Sequence, residues 1–152
     1  MIEFPNDLDV VIKRTLAAPR QLVYDVLTKP EHVAKTFAPF GETVTVCDID
    51  LRVGGNYRFV MVTQDGVECA FRGTYLEVEP PTRTVATWRF EGWPDAEAIE
   101  SNELLEADGG TTVIWKLAFR DKAGRARMTQ YDGLEANFDN VEAYLRSLRS
   151  SS

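Results

Sequence analysis

Acidic side chains alternate along the strand-like stretch 98–106, where a carboxyl group held inside the protein could act as a general acid or base. Glu100 and Glu106 fall on one face of such a strand and Glu103 on the other, because successive side chains point in opposite directions. If the face of Glu103 points inward, its carboxyl is buried and suited to proton transfer; if the other face does, Glu103 is a surface residue. The sequence leaves the choice of face open, and Glu103 is the carboxylate we take as a candidate site residue.

The other reactive residue types occur in patterns that exclude several kinds of site. The single histidine, His32, rules out metal sites built from several histidines, and we expect it to be solvated at the start of a short helix. No serine lies in a G-x-S-x-G sequence, and neither glycine-rich phosphate-binding motif is present. Cys47 and Cys69 are far apart in strand-like segments, which predicts two buried, reduced thiols. We therefore predict no metal and no cofactor, and favour a binding protein over an enzyme.

Four arginines are candidates for contact with a ligand. Arg72 and Arg89 alternate with apolar neighbours, which is typical of residues at a cavity rim or in solvent. Arg125 and Arg127 precede the last helix, where they could receive an acidic headgroup or lie in an exposed loop. A cyclase- or hydrolase-like enzyme working through Glu103 or Arg89 is a third and weaker option beside the two functions given at the end of this section.

The last part of the chain, residues 125–148, has the apolar spacing of an amphipathic helix. Its apolar residues follow one another at intervals of three or four. They are Met128, Tyr131, Leu134, Phe138, Val141, Leu145 and Leu148. We predict one nearly unbroken helix about 35 Å long, with Gly133 inside it. Such a stripe needs a broad apolar surface beneath it, which predicts a single sheet curved over the helix.

The rest of the chain consists mainly of segments with the alternation of strands. The predicted strands are 8–16, 43–51, 57–63, 67–78, 84–90, 98–106 and 111–119, with two short helices at 19–28 and 31–36. Val113, Trp115, Leu117 and Phe119 share one face of the last strand, which we assign to the core. Gly54-Gly55 predicts a tight turn with positive φ at Gly54. The prediction is an α+β fold with a seven-stranded antiparallel sheet, one domain over 8–149, and flexible termini at 1–7 and 150–152.

Several short sequences, taken in order, are similar to a known family. They include Arg14-Thr15, Ala18-Pro19, Val23-Tyr24, Pro30-Glu31-His32, Asp50-Leu51-Arg52-Val53-Gly54-Gly55, Gly73, Pro80-Pro81, Trp88, Gly110-Thr111 and Gly133. Over residues 8–148 the chain resembles homologues of the activator of the heat-shock-protein-90 ATPase. The resemblance implies a START-like helix-grip fold, in which seven strands grip the C-terminal helix, often around a hydrophobic cavity. Members of that superfamily include lipid carriers, cyclases and chaperone partners, so the resemblance alone does not define the function.

Two positions depart from the family pattern. Phe37 and Leu134 stand where the family usually has Trp. If both side chains face the interior, the cavity of this protein is larger or differently shaped.

The composition excludes some partners. Twenty-four acidic against 17 basic residues give a net charge of −7, which disfavours nucleic acid and anionic membranes. Apolar runs are shorter than the roughly 20 residues of a membrane span, and residues 1–11 lack the pattern of a secretory signal. We expect a soluble, cytoplasmic protein that is a monomer or a homodimer.

Two functions remain after these exclusions. The first, which we favour, is binding of a small hydrophobic or amphipathic molecule between the sheet and the last helix. The predicted site residues are Tyr57, Met61, Phe71, Tyr75, Trp88, Glu103, Trp115, Gln130, Tyr131, Leu134 and Phe138. Gln130 and Asn137 flank the helix stripe and would present polar groups at the cavity edge. The alternative is a protein-interaction module, a co-chaperone or stress-response protein that binds a partner through a sheet edge or helix face.

Overall fold

The strands of the protein form one antiparallel sheet. The computed structural model describes residues 2–36, 43–93, 96–128 and 133–150. Within them the strands are β1 (Ile2–Glu3), β2 (Asp9–Leu16), β3 (Thr43–Ile49), β4 (Asn56–Val62), β5 (Glu68–Glu79), β6 (Arg83–Phe90), β7 (Glu97–Ala107) and β8 (Gly110–Phe119). Their order across the sheet is β1-β2-β8-β7-β6-β5-β4-β3. From β3 to β8 each strand therefore lies beside its neighbour in sequence, and β2 adds to the free side of β8.

Helices cover the inner face of this sheet. In the described residues they are α1 (Arg20–Thr28), α2 (Pro30–Thr36), α3 (Lys122–Met128) and α4 (Gly133–Ser150). Pro19 precedes the first turn of α1 and Pro30 begins α2, positions where the missing N–H of proline costs nothing. The arrangement is the predicted α+β helix-grip fold, in which β3 to β8 follow one another between α1–α2 and α3–α4. None of these helices is long and apolar enough to cross a membrane.

Strand β8 lies beneath the helices, as its alternation predicts. Val113, Trp115, Leu117 and Phe119 are all buried, and with them Thr111, whose hydroxyl donates a 2.8 Å hydrogen bond to the Ala18 carbonyl. The prediction of the core face of this strand is confirmed. β8 is an interior strand of the sheet, between β2 and β7, and its inner side chains form part of the floor on which helix side chains pack.

The C-terminal helical region supplies the opposite wall. Helix α4 buries Phe138, Val141 and Leu145, the spacing expected from its apolar stripe. Helix α3 begins at Lys122, three residues before the predicted start, because Oδ1 of Asp121 accepts a 2.8 Å hydrogen bond from the Gly124 N–H. The prediction of a single helix over 125–148 includes residues 129–132, which lie outside the described residues, so its continuity stays a prediction.

The first residues of the chain add a strand to the seven predicted. Ile2 pairs with Ile12 and Glu3 with Val11, whereas residues 1–7 were expected to be a flexible terminus. The guanidinium of Arg125 donates to the carbonyls of Asn6 and Asp9, which holds this segment against α3. A strand of two residues has no periodicity, so the sequence pattern contains no signal for it.

Glycine is required at two positions, Gly54 and Gly73, for different reasons of backbone geometry. Gly54 has φ +86°, which confirms the turn prediction, and its N–H donates to the Tyr75 carbonyl at 2.9 Å. At Gly73 a Cβ atom would lie 1.8 Å from the Thr87 carbonyl oxygen. The close approach of β5 to β6 therefore requires glycine at that position.

Candidate functional site

An interior cavity of about 200 Å³ lies between the inner face of the sheet and the helices. Its wall is built mainly from apolar and aromatic side chains of β4 to β8, which provide the floor, and of all four described helices, which provide the roof. The floor includes Phe59, Met61, Phe71, Trp88, Trp115 and Leu117, and the roof includes Val26, Leu27, Val33, Met128, Phe138 and Val141. The volume is larger than the cavity of about 150 Å³ known to hold benzene in another protein.

The aromatic rings of the wall hold one another in place. Phe71 stacks on Phe90 with ring centroids 4.9 Å apart, and Trp88 lies 5.9 Å from Phe71. Trp115 on the floor meets Phe138 of α4 edge to face at 6.5 Å. These ring contacts orient the aromatic side chains around the cavity.

A few polar groups interrupt this apolar wall. Glu100 and Asn102 project from β7, Cys69 from β5, and Asn137 from α4. The amide of Asn137 donates a 3.0 Å hydrogen bond to the Thr36 carbonyl, so it is anchored at the end of α2. Convergent polar groups in an otherwise apolar pocket are typical of small-molecule sites.

Glu100 is the only carboxylate among the residues that the structure places on the cavity wall. Oε2 accepts a 2.9 Å hydrogen bond from the indole N–H of Trp115. Burial raises the pKa of the Glu100 carboxyl, and the Trp115 hydrogen bond opposes that rise because it favours the ionised form. In the described part of the chain no basic side chain forms an ion pair with it. Among the described residues the Trp115 indole is thus its one hydrogen-bond donor, in an otherwise apolar setting.

Five of the predicted site residues come together on the cavity wall: Met61, Phe71, Trp88, Trp115 and Phe138. Asn137, expected at the cavity edge, also lies there. Their strands place alternate residues on the inner face, as the sequence pattern indicates.

Tyr57 and Tyr75 lie elsewhere. They pack against each other with ring centroids 5.6 Å apart and form a separate buried cluster with Ala86. The hydroxyl of Tyr57 donates a 3.0 Å hydrogen bond to the Thr87 carbonyl, so it serves the sheet. Burial raises the pKa of both phenols, and the charge of Glu100 adds to the rise.

Glu103, a predicted site residue, lies on the outer face of β7, so its carboxyl does not line the cavity. Its Oε1 pairs with Nη1 of Arg83 at 2.7 Å. Leu104 is 1% exposed and Leu105 48%, which shows that the face of Glu100 is the inner one. Arg89, the other residue considered for catalysis, pairs with Glu97 at 3.4 Å.

The register of the hairpin β7–β8 is the signal that could have identified Glu100 from the sequence. Asp108-Gly109 forms a two-residue turn with Gly109 at φ +74°, so Ala107 pairs with Gly110. Counting back from that pair places Glu100 opposite Leu117, a residue of the predicted core face. Cross-strand partners share a face, so Glu100 must point inward.

Three predicted site residues cannot be placed. Gln130 and Tyr131 lie outside the described residues, as does Phe37, and of Leu134 only the backbone, within α4, is described. His32 differs from the expectation of a solvated residue: Nδ1 lies 2.7 Å from the hydroxyl of Tyr144, which links α2 to α4. No group of three or more metal-binding side chains occurs in the described residues.

A second pocket, on the sheet beside β4, β5 and β6, is polar and carries balanced charge. Arg58, Arg72 and Arg89 are direct cross-strand partners there. Arg58 pairs with Glu91 and Arg89 with Glu97, so little net positive charge remains to attract an anion. The interior cavity is therefore the better candidate site.

Comparison with known proteins identifies relatives of this fold. The sequence model of the family described as Activator of Hsp90 ATPase homolog 1-like protein matches residues 17–146. A solved Rhodobacter sphaeroides structure is 20% identical, with a TM-score of 0.89 over 97% of this chain and 99% of that one. A Nitrosomonas europaea protein is 26% identical, with a TM-score of 0.83 over 97% and 99% of the two chains. A Chromobacterium violaceum protein is 28% identical, with a TM-score of 0.78 over 92% and 97%. No curated protein matches the chain.

Proposed function

Since the chain belongs to the Activator of Hsp90 ATPase homolog 1-like family, whose fold can enclose a cavity, we propose that it binds one small, mostly apolar molecule between the sheet and α4. The observation that carries this proposal is the cavity of about 200 Å³, with aromatic walls and a few polar groups. A volume of that size suits a compound of one or two rings.

The apolar lining of the cavity supports a ligand. Aromatic and aliphatic side chains that face open space lack the van der Waals contacts that packing against apolar atoms would provide. A ligand that fills the space restores the lost contacts and stabilises the folded state by mass action.

The distribution of exposed apolar side chains does not favour the protein-interaction alternative. In the described residues the large exposed ones are Phe4, Leu8, Val53, Val67, Leu76, Ile99 and Leu105. The two on β7 lie opposite other kinds of residue: Ile99 pairs with Thr87 and Ala118, and Leu105 pairs with Thr112. Scattered single apolar residues are normal on a protein surface, whereas interaction sites form contiguous patches.

Native mass spectrometry of freshly purified protein tests the proposal directly. We expect a bound small molecule, or, for ligand-free protein, a rise of the melting temperature with one- or two-ring aromatic compounds. Cys69→Phe places a ring into the cavity from β5 and should abolish that response. Ala70→Phe adds the same ring to the opposite face of the strand and should preserve it. A response that Cys69→Phe leaves intact, or no response of the parent protein to any compound, would refute binding in this cavity.

A further inference from the structure

We propose that the cavity selects a ligand whose apolar body carries one hydrogen-bond donor group, an ammonium or a hydroxyl, which binds Oε1 of Glu100. This inference rests on the proposed function and adds the chemical class of the ligand. It also makes Glu100 the specificity-determining residue of the site.

The position of the Glu100 carboxylate is fixed before any ligand enters. Oε2 accepts the hydrogen bond of 2.9 Å from the Trp115 indole, and the Trp115 ring is itself held against Phe138. An indole N–H can only donate, so it engages the carboxylate as an acceptor. Oε1 has no hydrogen-bond partner in the described part of the protein, and the side chain lines the cavity. A ligand group thus meets one acceptor atom in a defined orientation.

The protein supplies Glu100 with no compensating cation from the described residues. The nearest arginines by strand register, Arg83 and Arg89, pair with Glu103 and Glu97 on the other side of the sheet. The charge of Glu100 contributes to the raised pKa of the phenols of Tyr57 and Tyr75, which are neutral donors or acceptors and not cations. Glu100 lines the cavity with one donor, Trp115, among the described residues, so Oε1 is available to accept a hydrogen bond from a donor on the ligand.

The same arrangement discriminates against anionic ligands. A carboxylate or sulfonate placed in this cavity would lie near Glu100 with no basic residue of the described wall to offset the repulsion. An apolar ligand without a donor would fill the space but leave Oε1 unpaired. Among ligands of equal size, an ammonium should therefore bind best and a carboxylate worst.

Four naphthalene compounds that differ only in one substituent test this ranking. They are 2-naphthylmethylamine, 2-naphthol, 2-methoxynaphthalene and 2-naphthoate, titrated by calorimetry at mildly alkaline pH, where a carboxyl whose pKa burial raises is more fully ionised than at neutral pH. For the parent protein we expect the amine to bind on the order of ten-fold or more tighter than the methoxy compound, because hydrogen bonds to charged groups are strong. The naphthol should lie between them, and the naphthoate should bind most weakly. The corresponding benzene derivatives provide a smaller scaffold.

Two matched variants locate the effect. Glu100→Gln keeps the side-chain shape but removes the charge, so it should weaken the amine about ten-fold and change the methoxy compound little. Glu103→Gln makes the same substitution on the outer face of β7 and should change neither.

The outcomes separate this inference from the function on which it rests. If the methoxy compound or the naphthoate binds the parent protein as tightly as the amine, the inference is wrong while cavity binding stands. If the Glu100→Gln variant still prefers the amine, the inference is likewise wrong and cavity binding stands. If no compound of either scaffold binds the parent protein, the proposed function fails and this inference with it. The ranking on the parent protein decides the matter even if the Glu100 variant does not fold.

Discussion

The indole N–H of Trp115 donates to the Glu100 carboxylate at 2.9 Å, diagonally across the hairpin of β7 and β8. Glu100 itself pairs with Leu117 and Trp115 with Asn102, so all four side chains lie on the inner face. The tryptophan thereby has two roles. Its ring forms part of the apolar floor, and its single polar atom makes a carboxylate tolerable in that setting.

Removal of this donor should destabilise the protein. Trp115→Phe keeps an aromatic ring but leaves Glu100 without its hydrogen bond, which we expect to lower the free energy of unfolding by about 1–3 kcal/mol. Denaturant unfolding provides the measurement. Trp93→Phe is the control, because it also replaces an indole of the cavity wall but leaves the hydrogen bond to Glu100 in place. In a Glu100→Gln background the Trp115 substitution should cost less, and equal costs in the two backgrounds would contradict the coupling.

The stability of the protein should depend on pH through Glu100. Burial raises the pKa of this carboxyl in the folded state, so the folded protein holds the proton more tightly than the unfolded chain. Its contribution is therefore fully present below the unfolded pKa of about 4.3 and is lost as pH rises through the folded pKa. Unfolding measured from pH 4 upward should show Glu100→Gln gaining stability relative to the parent protein as pH increases. A constant difference across that range would contradict the prediction.

Substitution of Gly54 should act through backbone strain alone. With φ at +86° and nothing within 4 Å of an added Cβ, Gly54→Ala is expected to cost about 1–2 kcal/mol, and Gly54→Val at least as much. Gly55→Ala should cost more, since its Cβ would lie 2.1 Å from the Asp50 carbonyl oxygen. Melting temperatures of the three variants provide the comparison. Ligand binding should be unaffected, because the turn lies away from the cavity wall.

Two buried or half-buried tyrosines should respond differently to loss of their hydroxyl groups. Tyr144 bonds His32 at 2.7 Å and joins α4 to α2, so Tyr144→Phe should cost about 0.5–1.5 kcal/mol. The buried hydroxyl of Tyr24 has no hydrogen-bond partner in the described part of the protein. Tyr24→Phe should therefore be neutral or stabilising. Chemical denaturation of both variants, made in parallel, tests the pair; a larger loss for Tyr24→Phe would contradict it.

The sequence by itself determined the elements whose signals are local. The alternation of Val113, Trp115 and Leu117 predicted the core strand, and the apolar stripe predicted the burial of Phe138 in the last helix. The turn at Gly54 could be predicted because a positive φ angle is a local requirement that glycine meets. Five site residues followed from these patterns, since a residue on the inner face of a strand beneath the helix is a natural wall residue.

Tertiary structure alone decided the features that depend on residues distant in sequence. The two-residue β1 is held by pairing with β2, and Asn6 in the segment that follows it is bonded by Arg125, more than 100 positions away. The separation of Tyr57 and Tyr75 from the cavity depends on where the helices cover the sheet. Contact of His32 with Tyr144 depends on how α2 and α4 pack.

Selection of Glu100 over Glu103 lies between these cases. Alternation along β7 places the two carboxylates on opposite faces of the strand. The sequence of β7 alone does not show which of these faces packs against the helices. The turn at Asp108-Gly109 resolves it by fixing the register against β8, whose apolar face is unambiguous. A difference of one residue in that register would have placed Glu103 in the cavity and Glu100 in solvent, because side chains of a strand change sides with every residue.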